Sequence, residues 1–84
     1  VVINVEIGRT TEHHHKGDVY RAEINVGVKG DLFRSEAEKE TLYDAIDTAK
    51  DEMVRELRKK KRKHLRLFKK GSSKIKDLIR GFRA

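Results

Sequence analysis

Hydrophobic and polar positions alternate through the first 39 residues and then change period. Over residues 1–9, Val1, Ile3, Val5 and Ile7 fall on one face and Asn4, Glu6 and Gly8 on the other. A period of two marks a half-buried strand. A polar loop follows over 10–16, closed by Gly17-Asp18. A second alternating run then places Tyr20, Ala22, Ile24, Val26 and Val28 against Arg21, Glu23 and Asn25. Lys29-Gly30-Asp31 reads as a tight turn, because glycine accepts the positive φ that hairpins need. A third run, 32–39, sets Phe33, Ser35 and Ala37 opposite Arg34, Glu36 and Glu38. Two short connections predict an antiparallel three-stranded meander.

From Thr41 the period becomes helical. Thr41 can accept from the backbone amide near Asp44, the arrangement of a capped helix start. Asp44 and Asp47 complement the positive end of the helix dipole, and the later Lys and Arg complement its negative end. Leu42, Ile46, Ala49, Met53 and Leu57, with Ala45 alongside, form one apolar stripe that predicts packing on the sheet. The stripe would next need apolar residues at 60 and 61, and both are Lys. The predicted helix runs from 42 to about 64, about 34 Å, and its last two turns overhang the sheet. Gly71-Ser72-Ser73 then reads as a break with N-capping residues. Ile75, Leu78, Ile79 and Phe82 follow at i, i+3, i+4 and i+7 among Lys74, Lys76, Arg80 and Arg83. They predict a short basic amphipathic helix, too short to be stable alone in water.

The fold class expected is therefore α+β: an antiparallel sheet packed by a long helix, plus a short basic C-terminal helix. Residues 1–64 form the folded domain and 65–84 a basic amphipathic tail. Eighty-four residues make one small domain with little apolar area to offset chain entropy. With no cysteine, neither a disulfide nor a thiolate metal site supports it. No stretch approaches the about 18 apolar residues of a membrane span. The chain enters its first strand pattern without an initiator Met and reads as one whose front is missing.

Charge sharpens this outline. Residues 50–84 carry fifteen Lys or Arg against four acids, +11, whereas residues 1–49 sum to −4. The segment Leu57-Arg58-Lys59-Lys60-Lys61-Arg62-Lys63 concentrates the positive end. Such an asymmetric field fits a polyanion partner, with one preferred orientation. A solvated surface is the usual fate of a charge run. Here, however, the run is of one sign and starts where the apolar stripe stops, so packing does not account for it. The aromatic residues are taken up by core and cap positions, which favours recognition of backbone and shape over base stacking.

Other chemistry finds no support in the pattern. His13-His14-His15 are adjacent, and neighbouring residues cannot converge on one ion without a special loop or further ligands; no metal is expected. Asp44 and Asp47 are explained by capping. Ser72 and Ser73 lack an activating base, and Gly27, Gly30 and Gly71 form no phosphate-cradling motif. The expectation is a protein that is not an enzyme, with no cofactor and no small-molecule substrate.

The segment Ala37-Glu38-Lys39-Glu40-Thr41-Leu42-Tyr43-Asp44-Ala45-Ile46-Asp47, followed by Met53, Arg55, Leu57, Lys59, Lys61 and Lys63, resembles the signature of the ribosome hibernation-promoting factor family. The family is also known as ribosome-associated inhibitor A or sigma-54 modulation protein. His15-Lys16-Gly17-Asp18-Val19-Tyr20-Arg21-Ala22-Glu23-Ile24 is similar to one of its hairpins, and the resemblance covers roughly residues 1–63. It implies a β-α-β-β-β-α fold with two helices on one sheet face, of which the first strand and helix are missing before Val1. Part of the sheet would then stand uncovered and the chain would be marginally stable.

The resemblance also implies a cytoplasmic protein bound to the small ribosomal subunit, its 16S-type rRNA and nearby ribosomal proteins. It would sit in the mRNA/tRNA channel and inhibit translation under stress or in stationary phase. Arg55, Lys59, Lys61 and Lys63 match the family's basic helix positions, and Arg58, Lys60 and Arg62 extend that comb. With Arg66, these make up the expected RNA-binding set. Glu52 and Glu56 depart from the family pattern and weaken that face. Two other readings compete. A generic double-stranded RNA-binding module would carry its lysines at the start of the last helix, whereas Asp44 and Asp47 occupy that start here. Membrane-surface attachment would use Ile75, Leu78, Ile79 and Phe82.

Overall fold

A computed structural model describes the backbone of residues 1–10 and 19–82 and the side chains of 1–10 and 19–73. The triple histidine and the side chains of Ile75, Leu78, Ile79 and Phe82 lie outside the described residues. The elements run β1 (Val2–Thr10), β2 (Val19–Val28), β3 (Asp31–Lys39), α1 (Leu42–Lys60) and α2 (Arg62–Phe82). The strands form an antiparallel sheet in the order β1-β2-β3, so the expected meander and α+β class hold.

The register explains the burial. Ile3 pairs with Val26 and Val26 with Phe33; Val5 pairs with Ile24 and Ile24 with Ser35; Ile7 pairs with Ala22 and Ala22 with Ala37. One sheet face is thus the apolar set read from the alternation, and a one-residue slip would turn all of it to water. The β2–β3 turn is tighter than the predicted three residues. Val28 pairs directly with Asp31, leaving Lys29 at φ 47° and Gly30 at φ 86°. Two left-handed residues make the turn that matches the twist of a hairpin. Glycine enters this region freely, and lysine does so against Cβ sterics.

Thr41 caps α1 as expected: its Oγ1 accepts from the Asp44 amide at 3.0 Å. Ala45, Ile46, Ala49, Met53 and Leu57 are the buried stripe of α1. The buried Ser35 hydroxyl donates to the Ala49 carbonyl at 2.7 Å, fastening β3 to the helix.

The structure corrects the helical half of the reading. The helix does not continue to about residue 64; it ends at Lys60. Lys61 leaves helical geometry at φ −145°, ψ 68°, and its N–H still donates to the Leu57 carbonyl at 2.8 Å. The His64 amide donates to the Lys61 carbonyl at 2.9 Å, and α2 is under way. Nineteen helical residues span about 28 Å, close to the about 30 Å of a nine-residue strand. A straight helix would carry Phe68 about 12 Å past Lys60, off the sheet and into water. By breaking, the chain returns Leu65 and Phe68 to the core, where Phe68 is 0% exposed.

Gly71-Ser72-Ser73 is not a break but part of α2. The Ser72 and Ser73 hydroxyls donate back to the Lys69 and Lys70 carbonyls at 3.1 and 2.8 Å, bonding within the helix rather than capping a new one. Gly71 sits where α2 crosses β1: a Cβ there would lie 2.6 Å from Ile3 Cδ1. Ile3 and Val5 pack against the core. α2 therefore covers part of the sheet that was expected to stand open, while Ile7 stays 41% exposed.

Candidate nucleic-acid interface

The break gathers the basic residues at a corner. Arg58, Lys59 and Lys60 form the last turn of α1, Lys61 is the hinge, and Arg62 and Lys63 open α2. Leu57, His64, Leu65 and Phe68 take the inward positions, which leaves the cations pointing outward. All eight expected RNA-binding residues are exposed, but they are not equivalent. Arg55 Nη1 lies 3.1 Å from Glu52 and Lys60 Nζ 3.0 Å from Glu56. The two glutamates that departed from the family pattern therefore neutralise two of the expected contacts. Lys61 Nζ lies 3.8 Å from Asp31. Arg58, Lys59, Arg62, Lys63 and Arg66 make no ion pair with the described residues. Of the eight, these five carry uncompensated charge. Arg55 stands apart, higher on α1, and Arg66 lies a turn into α2.

Two features escaped the sequence. His64 is 3% exposed, with Nε2 3.4 Å from the same Asp31 oxygen that Lys61 approaches. Its ring meets Phe33 edge-on at a centroid distance of 6.4 Å. The start of β3 thus pins the corner through a pair 33 residues apart in sequence, which no local pattern signals. Lys69 and Lys70 are also exposed and continue the cationic side of α2. Their spacing from Arg62, Lys63 and Arg66 was a signal, but it was hidden by taking 71–73 as a break.

The opposite sheet face is built differently. Glu6, Glu23 and Glu36 stand directly across from one another, an arrangement that repels unless cations intervene. Arg21 donates to Glu23 at 2.9 Å and to Glu36, and Arg34 donates to Glu23 at 2.5 Å. Asn25 adds a hydrogen bond to Glu23 at 2.9 Å. The Asn25 amide first, then Arg21, hold the Glu23 carboxyl down from its ordinary 4.5 to about 2, against the opposing effect of its burial. Glu23 and then Glu36 in turn raise the Arg21 guanidinium. At its centre this face pairs its charges internally, through Arg21, Glu23, Arg34 and Glu36. The corner does not, and the fold separates the two.

Among the described residues no three His, Cys, Asp or Glu side chains group to hold a metal. Among the same residues, no helix is long and apolar enough to cross a membrane. No curated protein and no solved structure matches the chain. Residues 1–65 match the family model described as Sigma 54 modulation protein / S30EA ribosomal protein. The match runs from β1 through the whole corner and stops just after His64. A sheet, a capped helix and a cationic corner within one matched segment assign the chain to this ribosome-associated family, the one named above for its hibernation-promoting factors.

Proposed function

We propose that the chain binds rRNA of the small ribosomal subunit through the corner cations, and so occupies the mRNA/tRNA channel and inhibits translation. The reading places it in the cytoplasm, acting under stress or in stationary phase as a binding protein rather than an enzyme. One observation carries it: exposed Arg58, Lys59, Arg62, Lys63 and Arg66, which make no ion pair with the described residues, project from a corner pinned to the core, in a chain of a ribosome-associated family. Phosphate contacts of this kind fix orientation without reading bases. The internally paired glutamate face at the far side supports docking in one orientation.

Sedimentation with purified 30S subunits across a salt series tests the reading. Each phosphate neutralised contributes about 0.7–0.9 to the slope of log affinity against log salt, so five unpaired cations give a slope of about −4. A chain that fails to co-sediment at low salt, or binds with no salt dependence, overturns it.

One observation also favours the double-stranded RNA reading. The last helix is α2, not α1, and it begins with Arg62 and Lys63, so the argument from Asp44 and Asp47 no longer applies. A short RNA duplex that competes as well as 30S subunits would select that module.

A further inference from the structure

The family match ends at residue 65, and the charge does not. Along α2, Arg62, Lys63, Arg66, Lys69 and Lys70 are all exposed, whereas His64, Leu65, Phe68 and Ser72 are buried. At 100° per residue the five cations occupy about a third of the helix circumference, and they extend over about 12 Å of its axis. None of them makes an ion pair with the described residues. The arrangement is electrostatically unfavourable twice over. Arg62–Arg66, Arg66–Lys70, Lys63–Arg66 and Arg66–Lys69 are like-charge pairs at i,i+4 or i,i+3, which destabilise a helix. The first turn of α2 also carries no acid, so its cations oppose the helix dipole. The same chain places acids with care in α1, where Asp44 occupies the first turn and Glu52 and Glu56 pair with Arg55 and Lys60. Among the described residues, cations without an ion pair are thus clustered at the corner and on this one face of α2, with exposed Lys29 and Lys39 standing apart.

We propose that the outer face of α2 beyond Arg66, carried by Lys69 and Lys70, is a second phosphate-binding face that takes RNA backbone beyond the corner. The inference rests on the RNA-binding reading above and extends it along α2. A lipid surface fits this face less well. Insertion needs a broad free apolar side, and of the apolar residues in the first three turns of α2 only Leu67 is exposed, whereas Leu65 and Phe68 are buried in the core.

The test compares two variants of the full chain on purified 30S subunits between about 0.05 and 1 M salt, with circular dichroism confirming that both fold. One is Lys69→Gln/Lys70→Gln. The other, Arg58→Gln/Lys59→Gln, alters the corner. Two lost contacts reduce the salt slope by about 1.4–1.8, so the α2 variant should bind roughly 30-fold more weakly at 0.1 M salt and converge on the parent toward 1 M. An α2 variant that matches the parent while the corner variant weakens overturns this inference and leaves the corner reading intact. If neither variant weakens, the RNA reading itself fails. If the α2 variant loses affinity for vesicles of anionic lipid but not for 30S subunits, the face is a membrane site and the inference is wrong.

Discussion

Replacing Phe68 with Ala tests whether the corner exists as described. Phe68 is fully enclosed among β-sheet and α1 side chains although it belongs to α2. Truncating such a ring removes its transfer free energy and leaves a cavity, at a cost of about 3–5 kcal/mol. A chain of 84 residues has a total stability of about 4–13 kcal/mol at 0.05–0.15 kcal/mol per residue. The substitution therefore removes a large fraction of the total and can unfold the chain outright. Phe68→Leu, which keeps most of the volume, should cost less than about 1.5 kcal/mol and leave a measurable transition. Leu67→Ala is the control: Leu67 is the next residue on the same helix and is 42% exposed. Its loss should stay within about 0.5–1 kcal/mol, in line with a partly exposed surface position.

Urea denaturation followed by far-UV circular dichroism reads the parent and all three variants, with the same added sulfate throughout to strengthen burial so that Phe68→Ala retains a transition. The midpoints should fall in the order parent, Leu67→Ala, Phe68→Leu, Phe68→Ala. If Phe68→Ala were no worse than Leu67→Ala, α2 would not be docked. The basic run would then be the overhanging end of one long helix, and the corner would have to be abandoned.

Three further outcomes are expected. Lys29→Gly, at a left-handed position where lysine is strained, should raise stability by about 0.5–1 kcal/mol, or roughly 4 °C in melting temperature for a chain of this size; an unchanged melt would argue against the two-residue turn. The folded pKa of Glu23, about 2, lies below its ordinary 4.5. Its contribution to stability is therefore present above pH 4.5 and lost as pH falls toward 2, so Glu23→Gln should flatten the acid limb of a stability–pH curve. Gly71→Ala sets a helix-propensity gain of about 1 kcal/mol against the 2.6 Å approach to Ile3 Cδ1. In an Ile3→Val background, which removes that atom, the same change should be plainly stabilising, and additivity of the two substitutions would exclude the contact.

The sheet was legible because each of its rules is local. Alternation placed Ile24 and Val26 inward and Arg21 and Glu23 outward, Gly30 marked the turn, and Thr41 marked the helix start. The end of α1 had no such mark. Residues 58–63 are all Lys or Arg, good helix formers, with no glycine or proline among them. Leu57, His64 and Phe68 even stay in phase for one continuous stripe. What stops the helix is tertiary: the sheet beneath it ends, and Phe68 gains more by folding back than by staying in line. Gly71 misled for the complementary reason. It was read as a backbone breaker, and it is a small residue at a close crossing, a fact that depends on Ile3 in a strand 68 positions earlier. Of the expected site residues, the exposed positions could be read from the sequence, but the distinction between paired Arg55 and Lys60 and unpaired Lys59 and Arg66 needed the side-chain geometry.

The bend also changes what the charge costs. Carried on a single straight helix, residues 58–63 would project into water beyond the sheet, held by one end and free to fray. At the corner the same cations stand on two helices that are each fixed by buried side chains, Leu57 on α1 and Leu65 and Phe68 on α2. Asp31 ties the hinge through Lys61 and His64. The orientations are set before a polyanion arrives, so less side-chain and backbone entropy is lost on contact. On the proposed reading, the apolar residues of α2 would thereby serve stability and binding together. Weakening the Phe68 site should reduce RNA affinity even though Phe68 lies inside the core and touches no solvent. Affinity for 30S subunits should therefore fall in step with the stability of the Phe68→Leu variant under mild urea, and a variant that loses stability yet keeps full affinity there would separate the two roles.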